Sequence, residues 1–251
     1  MDQRPSVICD SNIFYHIASG KFSVPNAELI APRTVVYELI NKRQLATNPE
    51  QHRLVLKGLI ESAEVCYHLD PFLHIADVLG LEITSDRLIA SINDFTEAFN
   101  ALEDFVTGDA IDGSKIIEFY TWIDSNSKPG ESLIAAINSH VVSIKSCTKI
   151  DRTRHLADTH TLISRLLSEK TGIDILSKDI DWKRIELFVH VTDLYLYELS
   201  RKSRKAVFTD LTDWFNLAYI QPGEMYWTDD HRWLHLVQHS GMGPYLYQAT
   251  A

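Results

Sequence analysis

Two short apolar strands that run straight into carboxylates constrain this chain more than any other feature. Val7-Ile8-Cys9 is continuously apolar and is followed by Asp10. Met225-Tyr226-Trp227-Thr228 is rich in β-formers and is followed by Asp229 and Asp230. A strand without polar alternation is expected to be covered on both faces, which is the habit of parallel sheets. A carboxylate at the end of such a strand is costly unless something offsets it. In open α/β sheets, ligand sites collect just past the carboxyl ends of the strands. The bland alternative is helix capping. Asp10 or Ser11 would start a helix over IFYHIASG, and Asp229 or Asp230 one over HRWLHLVQ.

The second of these strands closes a longer stretch, Thr209 to Asp230. Thr209 is placed to cap a helix, with Asp210 in its first turn. Asp210 and Asp213 are three apart and share a face. That face is one shoulder of the apolar stripe Leu211, Trp214, Phe215, Leu217 and Ala218. Pro222-Gly223 then turns the chain. Nearer the start, Glu28 to Ala31 predicts a second strand. Pro32 opens a helix through Asn41, and Glu38 lies near the border of its apolar face, Val35, Val36, Leu39 and Ile40.

Taken in order, these motifs resemble the PIN domain, a family of metal-dependent nucleases that includes bacterial toxin ribonucleases and RNA-processing enzymes. The features are a strand ending in Asp10 with Asn12 two residues later, a Pro-initiated helix carrying Glu38, a helix opened by Asp210 and Asp213, and a strand ending in Thr228-x-Asp230. The resemblance covers residues 5–45 and 205–238. It implies an α/β fold, a three-layer core with a parallel sheet whose strand ends gather the acids around Mg²⁺ or Mn²⁺. On that basis Asp10, Glu38, Asp213 and Asp230 are the expected catalytic residues and metal ligands. Asp210 and Asp229 are auxiliary ligands, and Asn12 and Thr228 support a carboxylate or a water. The implied activity is hydrolysis of RNA phosphodiester bonds. Acids of this kind suit hard cations, which take carboxylate oxygen and retain water. The motifs suggest no Ser, Cys or His nucleophile. Two alternatives stay open: the same chemistry on DNA, or a catalytically inactive scaffold that holds a protein partner. An inhibitory protein partner is also compatible with a toxin-like ribonuclease.

The chain departs from the family in the span between Glu38 and Asp213, which is much longer than the family needs. The expected organisation is a core of residues 1–75 and 180–251, with residues 76–179 as a helical insertion packed on it. Helical spacing recurs over 49–63, 86–106, 116–123, 133–144, 158–170 and 182–200, with a strand over 65–69 and a turn at 125–130. Arg152, Arg154, His155, Asp158 and His160 form a polar cluster. The five-residue spacing of its histidines suits one helix face poorly, so it is expected to be solvated surface. The run Arg201, Lys202, Arg204 and Lys205 closes a helix just before Asp210. It complements a helix dipole and is equally placed to guide a phosphate backbone. Lys145, Lys149, Arg152 and Arg154 are a weaker second candidate.

Composition narrows the partners. The formal charge of −10, from 24 basic and 34 acidic residues, argues against binding nucleic acid through bulk charge. It leaves room for a local basic track beside an acidic centre. Cys9, Cys66 and Cys147 are far apart and in no paired spacing. They read as reduced thiols of a cytoplasmic protein. No apolar run is long enough for a membrane span.

Overall fold

The computed structural model describes residues 4–41, 48–107, 114, 117–121, 131–145, 152–202 and 204–249. Four strands form one parallel sheet: β1 (Ser6–Cys9), β2 (Glu28–Pro32), β3 (Val65–Tyr67) and β4 (Met225–Trp227), in the order β3-β2-β1-β4. Val7 lies opposite Leu29 and Met225, and Ile8 opposite Ile30 and Tyr226. Strand side chains alternate between faces. Val7, Cys9, Leu29, Ala31 and Trp227 therefore share one apolar cluster, and Ile8, Ile30 and Tyr226 the other. The continuous apolar run of β1 is explained by this: it is covered on both sides.

The Val7 face is covered by α1 (Ser11–Ala18), α2 (Arg33–Ile40), α3 (Pro49–Ser62) and α5 (Ser85–Val106). The Ile8 face is covered by α4 (Pro71–Val78), α6 (Glu131–Lys145), α7 (Arg152–Thr171), α8 (Glu186–Arg201), α9 (Phe208–Asn216) and α10 (His231–His239). This is an α/β architecture compatible with three layers. The span 76–179 builds no core of its own among the described residues. Phe95, Ala98 and Leu102 of α5 join one face, while Ile137, Leu162, Ile163 and Leu166 of α6 and α7 join the other.

Several local expectations shift. Helix α4 is not anticipated by the apolar periodicity, because nearly every residue of it is buried. Its punctuation was readable: the Asp70 side chain caps it, Pro71 opens it, and Gly80 follows with φ 70°. Helix α7 begins at Arg152, earlier than position 158. Helix α8 begins at Glu186, after a 3₁₀ turn over Trp182–Ile185. Thr209 is not the cap of α9. The helix starts at Phe208, and Asp210 reaches back to accept from the Val207 backbone N–H at 3.4 Å. His155 is not solvated: it is buried and paired with buried Asp193, between α7 and α8. Residues 117–121 of the expected 116–123 helix are helical, while 116, 122, 123, the 125–130 turn, Lys149 and Cys147 lie outside the described residues. Cys9 and Cys66 are free thiols. Among the described residues no helix is long and apolar enough to cross a membrane.

The topology opens the sheet at one place. From β1 the chain leaves through α1 to β2 on one side of the sheet. From β4 it leaves through α10 to Leu246, which bridges Tyr226 in parallel on the other side. Adjacent strands whose connections part in opposite directions leave a crevice at their carboxyl ends. Here that crevice lies beyond Cys9 and Trp227.

Candidate metal centre

Asp10 is the first residue past β1, and its backbone N–H still bonds the Trp227 carbonyl at 2.9 Å. The carboxylate is fully buried. One oxygen accepts from the Ser11 N–H at 2.6 Å and lies 3.5 Å from the Asn216 amide nitrogen. The other accepts from the Thr228 hydroxyl at 2.8 Å. Asp10 thus caps α1 and faces the crevice at once. The capping reading holds, and the same carboxylate joins the acid cluster.

Glu38 arrives from α2 on one side of the sheet and Asp213 from α9 on the other. Carboxylate oxygens of Asp10, Glu38 and Asp213 lie within 4.8 Å of one another. Three separate elements, joined only through the tertiary fold, therefore converge on the end of β1. The Asp213 carboxyl is pushed up to about 8, first by burial and then by the charges of Asp10 and Glu38, with Asp230 adding to them. The Trp233 indole N–H, donating to Asp213 at 2.7 Å, works in the opposite direction.

The donor set fits Mg²⁺ or Mn²⁺. Three carboxylates offer hard oxygen at a spacing one cation can bridge, and their mutual repulsion is what a divalent charge would relieve. The Cys9 thiol sits on the opposite face of β1, with the Val7 cluster, and burial pushes its pKa up. It offers no soft ligand to this group.

The other expected acids have different partners. Asp230 caps α10, accepting from the backbone N–H groups of Arg232 at 2.8 Å and Trp233 at 3.2 Å. It stands close enough to raise Asp213 but is not one of the three that converge. Asp210 is buried against Arg232 and accepts from the Tyr195 hydroxyl at 2.8 Å. Asp229 is exposed and pairs with Lys21 at 3.2 Å and His16 at 3.1 Å. Lys21 above all holds its carboxyl below the usual range. Thr228 fills its supporting place, donating to Asp10 and accepting from the Asp230 N–H at 3.0 Å. Asn12 sits half-buried in the first turn of α1. Arg201, Lys202, Arg204 and Lys205 are all exposed.

Four residues of the site escape a reading of the acids alone. Asn216 lies one turn past Asp213, is fully buried, and bridges the Thr34 hydroxyl and Asp10. Its spacing of three from Asp213 is the signal that could have found it. Trp233 reaches Asp213 from a helix that follows the last strand. Tyr226 buries its phenol near Thr228, and burial and then Asp10 and Asp213 raise it well above its usual value. Arg232 claims Asp210. No local sequence pattern announces the last three.

Comparison with known protein families, curated proteins and solved structures finds no match for this chain.

Proposed function

We propose that this protein is a divalent-metal-dependent phosphodiesterase of PIN-like build that hydrolyses RNA, with DNA as the competing substrate. The observation that carries the reading is the convergence of Asp10, Glu38 and Asp213 within 4.8 Å at the crevice of a parallel sheet. The order of those acids along the chain, and the Thr228 hydroxyl on Asp10, support it. Asp10, Glu38 and Asp213 would hold the ion, with Asp230 beside them. A bound Mg²⁺ or Mn²⁺ supplies Lewis-acid assistance and charge neutralisation to phosphodiester hydrolysis.

The chain's own residues set the stage for that chemistry. Thr228, Ser11 and Asn216 fix the Asp10 carboxylate by hydrogen bonds from three directions. Trp233 fixes Asp213. Such orientation of ligands by their neighbours sustains affinity and geometry in metal sites.

The test is incubation of the protein with labelled single-stranded RNA and DNA of matched sequence, with Mn²⁺ and with EDTA, beside Asp10→Asn. Metal-dependent cleavage by the wild type, lost in the folded variant, supports the reading and names the sugar. Absence of cleavage by the wild type in every metal, with no Mn²⁺ binding by calorimetry, sinks it and favours a scaffold.

A further inference from the structure

Arg232 occupies the first turn of α10, one residue before the tryptophan that bonds Asp213. Its guanidinium pairs with the buried Asp210 carboxylate and lies over the Tyr195 ring at 5.3 Å, yet 42% of the side chain remains exposed. An arginine carries five N–H donors in a rigid fork. Asp210 engages Nη1 and Nη2. Further donors remain for a group in solvent, on a side chain already immobilised by Asp210 and next in sequence to the tryptophan that bonds Asp213.

The stripe continues. At helical spacing Arg232, His235 and His239 share the exposed face of α10, while Trp233, Leu236 and Val237 fill the buried one. The His235 and His239 rings lie 3.9 Å apart, centre to centre. His235 approaches Glu198 of α8 at 3.4 Å, and Glu198 also takes Lys202 at 2.6 Å. The exposed face of α10 thus abuts the end of α8, where Arg201, Lys202, Arg204 and Lys205 are exposed. Along this path the Lys and Arg residues outnumber Asp210 and Glu198, on a chain whose net charge is −10.

A helix-dipole role accounts for the end of α8 but not for a cation fixed by a buried carboxylate next to the acid cluster. We infer that this stripe, from Arg232 through His235 and His239 to the basic run at 201–205, carries the phosphate backbone of a single-stranded polynucleotide away from the cleavage site. Asp210 is then a positioning residue for Arg232. The inference rests on the phosphodiesterase reading for its direction, but binding can be measured without cleavage.

The experiment is fluorescence anisotropy with a labelled single-stranded 12-nucleotide RNA in EDTA, over a salt series, for the wild type, His235→Glu/His239→Glu and Arg232→Lys. Thermal melts confirm folding, and Mn²⁺-dependent cleavage by the wild type is assayed alongside. The double variant is expected to bind at least ~10-fold more weakly, with a shallower salt dependence. Arg232→Lys keeps the charge beside Asp210 but loses the fork, and is expected to bind about 3- to 10-fold more weakly. Folded variants that bind like the wild type overturn the track, even if the wild type cleaves RNA. Weakened binding alongside a wild type that neither cleaves in any metal nor binds Mn²⁺ keeps the track and removes the phosphodiesterase reading. A wild type that does not bind the RNA overturns the track outright.

Discussion

The Trp233 indole N–H donates to the Asp213 carboxylate at 2.7 Å, and this bond ties the helix after the last strand to the acid cluster. Trp233 is otherwise a core residue, fully buried against the Ile8 face of the sheet. It packs and holds the Asp213 carboxylate with the same side chain. Trp233→Phe separates these roles, because it keeps most of the ring and removes the donor. It is expected to cost about 1–2 kcal/mol of stability and about tenfold or more in Mn²⁺ affinity. Calorimetric titration with Mn²⁺ and thermal melts measure the two. Unchanged Mn²⁺ affinity would show that the bond does not orient Asp213 for a cation.

The cluster makes stability depend on pH in a direction opposite to that of a paired carboxylate. An unfolded aspartate titrates near ~3.9, whereas Asp213 in the fold is pushed up to about 8 by burial, Asp10 and Glu38. Between these values the folded protein binds the extra proton. The stabilising contribution is therefore complete below about pH 4 and is lost as pH rises through about 8. The loss is on the order of a few kcal/mol. Melts of the metal-free protein from pH 5 to 8.5 should fall in Tm, Asp213→Asn should flatten the fall, and Mn²⁺ should raise Tm more at pH 8 than at pH 5. A metal-free Tm that climbs over this range, equally in wild type and variant, would contradict the account.

Asp10→Asn addresses the same repulsion from another side. The amide can still accept from the Ser11 N–H, so the cap of α1 survives. Removing one carboxylate from this crowded group of three should leave the metal-free protein as stable as the wild type or more so. Cleavage should fall by about 10²–10³-fold, equivalent to some 3–4 kcal/mol of barrier. A variant that unfolds would instead show that Asp10 is held chiefly for structure.

The frame of the site was legible because its signals are local. The uninterrupted apolar run before Asp10 reported a strand covered on both faces. The repeat of that layout before Asp230 reported a second strand, and β1 and β4 are neighbours. Asp10, Glu38 and Asp213 do meet. What was not legible are the partners that divide the remaining acids. Asp210 and Asp213 share a face of α9, yet one meets Arg232 and the other Trp233, adjacent residues of α10 that α9 packs beside. Nothing within α9 distinguishes them. Asp229 and Asp230 adjoin each other, but extended backbone at Asp230 turns its carboxylate onto the helix start while Asp229 goes to Lys21 and His16. The span 76–179 reads as an insertion because its helices are contiguous in sequence, whereas the fold distributes them over both faces of the sheet.

The buried pair His155–Asp193 gives a control remote in the chain from the acids. Both side chains are inaccessible, and Asp193 also accepts from the Thr159 hydroxyl at 3.2 Å. Replacing His155 with Ala leaves that carboxylate buried without its principal partner. A loss of about 3–5 kcal/mol is expected when one member of a buried pair is removed. Helices α7 and α8 pack on the same side of the sheet as α9, but neither His155 nor Asp193 belongs to the acid cluster. Mn²⁺ affinity of the folded variant should stay within about threefold of the wild type, since among the described residues the pair shares no partner with the cluster's carboxylates. Denaturant unfolding and Mn²⁺ titration on the same preparation measure both quantities. A stability loss with a parallel collapse of Mn²⁺ binding below the unfolding transition would instead couple this pair to the acid cluster.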